Sequence, residues 1–447
     1  MKFVVLLLIG ALIGSLVVGA PFYILLILFL GVCVISIICN THDIFAHSAK
    51  LIVLFVVVVS VFIMPAYGIV TSRYGDLSMQ DRARILELGA PLVLFLSVLW
   101  YITKPLSRVK KVFDYSPMIF SDKMMAVIFL SVFPISIFSY MVGLGRMGAA
   151  AVVLPFHLTG ILVFFQTKLV PALFVIYVEN KILNKRKVKS IFYICYIVWS
   201  FFMSLVLLSK GIFISNLIPL LILLFLYYRP NRKTIIKSLI PITLCFFFMY
   251  PVIGIMRLVQ EDRKSMDFSS IIKIAYEDDE SEEQSRNDNF FLRPLNRVFK
   301  TGAHYYHDYD IMKKDYFFDF SRMPIIMSMG GSARYQTVII EGYTEGANHS
   351  SGTTGIMDPI LVGGKGLMYI TLFFIMLLAA FVDRLFQKRQ YSIYAILIFL
   401  VFDLICNHNV SLIFEYTNLL VTLLSVYLAY FFNFRNKSKG VVLSNVK

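Results

Sequence analysis

Apolar residues run along this chain in long stretches, parted by short polar loops. FVVLLLIGALIGSLVVGA near the start and YITLFFIMLLAAFVDRLF near the end are typical. About twenty helical residues cross the hydrocarbon core of a bilayer, so each stretch predicts a membrane-spanning helix. About twelve spans follow, at roughly 3–19, 22–39, 51–71, 88–103, 124–144, 158–179, 190–208, 212–228, 235–256, 364–383, 391–407 and 411–432. The first stretch matches a signal peptide in length. It lacks a convincing cleavage site, and a second stretch follows at once, so it reads as a retained helix. The expected fold is an all-α polytopic membrane protein.

The polar loops set an orientation. Lys104, Arg108, Lys110 and Lys111 lie in one, and Lys185, Arg186, Lys187 and Lys189 in the next of the same sidedness. Arg229, Arg232, Lys233 and Lys237 follow, then Arg384, Lys388 and Arg389, and the tail adds Arg435, Lys437 and Lys439. An even number of spans puts all five segments and both termini on one face. Clustered cations mark that face as cytoplasmic.

One loop differs from the rest. Residues 257–363 separate the ninth and tenth spans and face away from the cytoplasm by the same alternation. The chain therefore divides into a bundle over 1–256, a large extracytoplasmic loop over 257–363, and three further spans with a tail over 364–447. The loop mixes charge with aromatics, as in FFLRPLNRVF, HYYHDYD and DYFFDFSRM. Disordered linkers are poor in aromatics, so a small helical layer on the bundle is expected. The run EDDESEEQ reads as a solvated acidic patch. No internal repeat with matched broken helices is evident.

Composition supports this picture. The chain has 447 residues, of which 58% are apolar and 15% charged. A soluble protein is about 45–50% apolar and 25% charged. The net charge of +15 sits mostly in the cytoplasmic loops, and no basic-aromatic module for nucleic acid is present. Cys33, Cys39, Cys195, Cys245 and Cys406 lie in or beside apolar stretches without metal-ligand spacing, and read as small buried hydrophobes.

Charged groups at membrane depth are costly and are functional candidates by default. Lys210, between the seventh and eighth spans, falls on the outer face. So do Arg257, which closes the ninth span, and Arg146, which follows the fifth. Lys168 lies within the sixth span. Cations on the outer face run against the orientation rule, and together they point to an anionic ligand. Snorkelling at the membrane boundary is the alternative for each alone. The long loop supplies Arg334, which has the fork to pair a phosphate. It also supplies Glu341, Glu345, His349 and Asp358, groups able to take a proton from a hydroxyl. Gly352, Gly355, Gly363, Gly364 and Gly366 give room for close backbone approach to a ligand, or mark ordinary turns.

Three stretches together resemble the O-antigen polymerase family, bacterial enzymes that join lipid-linked oligosaccharide repeat units. LLSKGIFISNLIPLLILLFLYYRPNRK is similar to the family's Ser-Arg-Gly at the outer start of a helix, with a basic cytoplasmic turn after it. Lys210 stands where arginine is usual; it keeps the charge and loses the bidentate fork. Arg257 closes the next span and opens one large outer loop. NHSSGTTGIMDPILVGGKGLMYI is similar to the family's polar stretch before the following helix, with Asp358 at the acidic position. The related O-antigen ligases place a histidine before a similar stretch, which His349 matches at longer spacing. The resemblance covers roughly residues 190–385.

The resemblance implies a GT-C-like fold of about twelve transmembrane helices with one large helical periplasmic loop. It implies transfer of a glycan from undecaprenyl diphosphate to a sugar hydroxyl on a second lipid-linked unit, at the outer face of the inner membrane. Donor and acceptor are both lipid-linked oligosaccharides. No cofactor and no metal are expected, since diphosphate is already a good leaving group. A partner protein that regulates chain length is expected as well. Arg257, Lys210, Arg334 and Arg146 would grip the diphosphate. Glu345, His349 or Asp358 would supply the base, with the choice among them open. Glu341, Ser350, Ser351, Thr353 and Gly355 would line the sugar side of the cavity. The same fold serves a ligase with lipid A core or protein as acceptor. A flippase for lipid-linked sugars is the alternative from outside the enzymes, with Lys168 as its deepest charge, and a structural membrane subunit is a further one.

Overall fold

The computed structural model describes residues 45–58, 79–107, 121–144, 154–155, 158–228, 317–328 and 357–406, with residues 13, 420 and 424. All regular structure among these residues is helical. The helices are α1 (Ser48–Val58), α2 (Met79–Ser107), α3 (Asp122–Val142), α4 (Leu158–Leu183), α5 (Ser190–Val206), α6 (Lys210–Tyr228), α7 (Met323–Ser328), α8 (Met357–Gln387) and α9 (Tyr391–Cys406). A 3₁₀ turn, Phe45–His47, precedes α1.

Asp122–Val142, Leu158–Leu183, Gly211–Tyr228 and Pro359–Gln387 are long and apolar enough to cross a membrane. Ser48–Val58, Pro91–Ser107, Ser190–Val206 and Tyr391–Phe402 are shorter apolar helices. The protein is a helical membrane protein. Apart from residues 13, 420 and 424, the sequence-predicted spans at 3–19, 22–39, 235–256 and 411–432 lie outside the described residues, as does most of the loop 257–363.

Local chemistry fixes the helix ends. Ser121 caps α3 by accepting the Met124 N–H at 3.2 Å, and Asp122 follows in the first turn, where the helix dipole favours an anion. Gly143 closes the helix at φ 74°, a left-handed C-cap that glycine adopts without steric cost. The helix α4 widens to a π turn over Phe165–Leu169.

Two compact units divide the chain. The first comprises Met1–Val112, Ser281–Lys388 and Leu400–Thr417. Its centre is α8, which packs on α1, α2 and the turn Phe45–His47. Ala379 and Ala380 are wholly buried on α8; small residues let helix backbones approach closely where lipid gives little hydrophobic drive to association.

The second unit comprises Phe113–Glu280, Arg389–Phe399 and Asn418–Lys447. It holds α3 to α6 and the start of α9, around an aromatic core. Phe174 stacks on Tyr196 with ring centroids 4.0 Å apart. The Tyr193 and Phe129 rings meet Phe174 edge-on. Gln166, in the π turn, is wholly buried. Its amide donates to Ser136 at 3.3 Å and Ser139 at 3.2 Å, and Trp199 Nε1 donates to Ser136 at 3.3 Å. Three apolar helices are thus joined by side-chain hydrogen bonds, each worth about 0.6 kcal/mol in a membrane interior.

Candidate functional site

In the first unit, the stretch Asp358–Gly366 opens α8. Asp358 falls in its first turn, and Gly364 breaks it with φ 82° and ψ −176°. That conformation is essentially reserved for glycine. A break in a helix at membrane depth frees backbone groups that need partners. The loop segment Phe317–Phe320 supplies them. Phe317 O accepts the Gly366 N–H at 2.7 Å, and the Asp319 N–H donates to Gly363 O at 3.2 Å.

The three glycines are the seats for this segment. A Cβ on Gly364 would lie 2.9 Å from Phe317 O. One on Gly363 would press on Leu367 and the Phe320 ring, and one on Gly366 on the Phe318 ring. Sequence reasoning left their purpose open between close approach of a ligand and ordinary turns. At Gly363, Gly364 and Gly366 the group that approaches is the protein's own loop. Phe317 then stacks on Tyr369 at 6.1 Å, and Phe95 of α2 meets Tyr369 edge-on at 4.9 Å. Beneath lies a small core of Met323, Ile326, Val362 and Leu367. Lys365, half-buried between Gly364 and Gly366, is a cation that sequence reasoning passed over. Its signal was present, as a lysine inside an apolar helix.

In the second unit, Lys210 opens α6 directly after a tight turn. Leu208 takes φ 49°, a left-handed conformation unusual for a branched side chain, and the Ser209 N–H returns to Ser204 O at 3.0 Å. The N-terminal end of the helix dipole disfavours a cation, so helix stability does not explain lysine here. Strained backbone of this kind clusters at functional positions.

Lys210 thus lies in one unit and Asp358 in the other. Arg146, Arg257, Arg334, Glu341, Glu345, His349, Ser350, Ser351, Thr353 and Gly355 lie outside the described residues. Lys168 sits in the π turn and is half-buried, not enclosed as its place in the sixth span had suggested.

Buried charges lie near several helix ends, and two of them, Glu179 and Asp383, close predicted spans. Glu179, wholly buried near the end of α4, accepts the Ser392 N–H and the Tyr227 hydroxyl at 3.1 Å each. Its other oxygen accepts the Ser392 hydroxyl. It thereby satisfies a free backbone donor at the start of α9. Asp122 takes Lys181 and Lys189 as ion-pair partners and accepts the Tyr177 hydroxyl at 3.0 Å. In the first unit, Lys50 and Asp383 are both wholly buried.

The class these observations define is an all-helical membrane protein whose loop before α8 folds back onto a broken helix. Beyond that class, the chain matches no protein-family model, no curated protein and no solved structure.

Proposed function

We propose that the protein is a polymerase of the O-antigen polymerase kind, joining undecaprenyl-diphosphate-linked repeat units at the outer face of a bacterial inner membrane. The product is O-antigen or a capsular polysaccharide. The observation that supports this most is the seating of the loop on α8. Phe317–Phe320 holds the Gly363–Gly366 break, so this segment of the long loop is anchored on the helix that carries Asp358 in its first turn.

The reaction asks for two kinds of group. A base takes the proton of the acceptor hydroxyl, whose oxygen attacks the anomeric carbon of the donor. The carbon–oxygen bond to diphosphate breaks, and undecaprenyl diphosphate leaves with the electron pair. Glu345, His349 and Asp358 are the candidates for the base. Arg257, Lys210, Arg334 and Arg146 are the candidates to hold the negative charge that builds on the diphosphate. Glu341, Ser350, Ser351, Thr353 and Gly355 are the candidates to meet sugar hydroxyls.

A stably inserted Arg257→Ala protein is expected to yield single capped units without long chains. The check is a gel of surface glycan beside an immunoblot for the protein. Normal long-chain product would remove Arg257 from the site.

A second reading, a flippase for lipid-linked sugars, is favoured by one observation. Lys50 and Asp383 are opposite charges enclosed within a helix bundle, as transport proteins often hold. It would require that the Lys50→Met protein fail to export whole units, whereas the polymerase reading requires that units reach the surface unjoined when Arg257 is lost.

A further inference from the structure

Three helices of the first unit converge on Lys50, Trp100 and Asp383. Lys50 lies in the first turn of α1, Trp100 near the end of α2 and Asp383 near the end of α8. Asp383 Oδ1 accepts the Ala49 N–H at 2.9 Å. The carboxylate therefore caps α1 from another helix, supplying the acceptor that a helix start needs. The Lys50 ammonium lies 4.5 Å from the centroid of the Trp100 ring, within cation–π range. The His47 ring centroid lies 5.6 Å from that of Trp100.

Lys50 Nζ and Asp383 Oδ2 are buried atoms of this cluster without a hydrogen-bond partner. The two charges act on each other, yet neither atom hydrogen-bonds the other. Leaving a buried ammonium and a buried carboxylate oxygen without a hydrogen bond costs several kcal/mol. A single partner serving both atoms has to accept from an ammonium and donate to a carboxylate. A metal ion does neither, and Lys104, one turn beyond Trp100, adds a second positive charge facing Lys50. An anion would meet Asp383. A neutral hydroxyl meets both demands.

We propose that Lys50 Nζ and Asp383 Oδ2 hold a neutral hydroxylic ligand between them, joining α1, α2 and α8 through a bridged ion pair. Buried waters typically make about three hydrogen bonds to groups of this kind. The hydroxyl comes from water, or from an alcohol such as a lipid glycerol. The bridge anchors one end of α8, the helix that carries the Gly364 break and Asp358 at its other end.

The deciding experiment is a density map of the full chain in a lipid nanodisc, at a resolution that shows ordered water. A single isolated peak within hydrogen-bond reach of both atoms supports the proposal with water as the source. Density that continues away from the peak supports it with an alcohol as the source. Direct contact of Lys50 Nζ with Asp383 Oδ2, or two bare atoms with no density between, overturns it. Thermal melts of two variants give an independent reading. Lys50→Met strands Asp383 and should lower Tm by several degrees. Lys50→Arg has the longer side chain, so its fork reaches the carboxylate in place of the bridge and Tm should stay near the parent's. A fall with Lys50→Arg as large as that with Lys50→Met would mean that nothing separates the pair, and would overturn the proposal.

Discussion

Gly364→Ala is expected to destabilise the first unit by about 3 kcal/mol or more, combining backbone strain with a lost hydrogen bond. The backbone at φ 82° and ψ −176° is strained for any residue with a Cβ, at about 1–3 kcal/mol. The new methyl carbon would also lie 2.9 Å from Phe317 O and 3.2 Å from Asp319 N. Phe317 O cannot retreat freely, because it accepts the Gly366 N–H at 2.7 Å. Relief therefore means loosening the loop from α8. Under the proposed function, that separates the polar stretch from the rest of the loop and should abolish long-chain product even in protein that still inserts. Gly160→Ala is the control. Gly160 is helical, nothing lies within 4 Å of its Cβ position, and alanine there should be neutral or slightly stabilising. Tm of the purified variants in detergent checks both. Equal Tm values for Gly364→Ala and the parent would show that the break is not held as described.

Glu179→Ala should damage the second unit to a similar extent. Its carboxylate serves the Ser392 N–H, the Ser392 hydroxyl and the Tyr227 hydroxyl, with Ser392 and Glu179 wholly buried. Hydrogen bonds to a charged group are worth about 1.5–3 kcal/mol each, and stranding buried donors adds their desolvation. The sum is not additive, and a loss of about 3–5 kcal/mol is expected, comparable to breaking a buried ion pair. Glu179→Gln separates shape from chemistry. The amide oxygen still accepts from Ser392 N–H and Tyr227, while the amide nitrogen cannot accept from the Ser392 hydroxyl. A smaller loss is therefore expected for glutamine than for alanine. Thermal melts of both variants test the ordering. If glutamine and alanine cost the same, the charge, and not the set of acceptors, holds the start of α9.

The spanning helices were the legible part of the fold. The apolar stretch predicted at 124–144 corresponds to Asp122–Val142, and that at 158–179 to Leu158–Leu183. Hydrophobic length carries this information, because a helix in lipid must satisfy its own backbone. The start of α8 was not legible. It begins at Met357 and not at 364, since MDPILV ahead of the glycines is helical and GG looks like a boundary. Nor did the sequence reveal what the glycines are for. The segment that fills them, Phe317–Phe320, is distant along the chain, and no local pattern links the two.

Polar partners were hidden for a related reason. Lys50 stands just before one apolar stretch, where a lysine ordinarily snorkels into the interface, and Asp383 closes another. Only the packing of α1, α2 and α8 encloses them. Glu179 likewise closes a predicted span, and its partner Ser392 is 213 positions away. The cations and carboxylates singled out for chemistry fall mainly outside the described residues. Of those that are described, Lys210 lies in one unit and Asp358 in the other.

The central claim is that this membrane protein joins glycan units. The most direct test is the surface glycan profile of a strain lacking the protein, run on a gel beside the parent. The ladder of chain lengths is expected to collapse to a single capped unit, restored by the wild-type chain. An unchanged ladder, or loss of even the single unit, would contradict it.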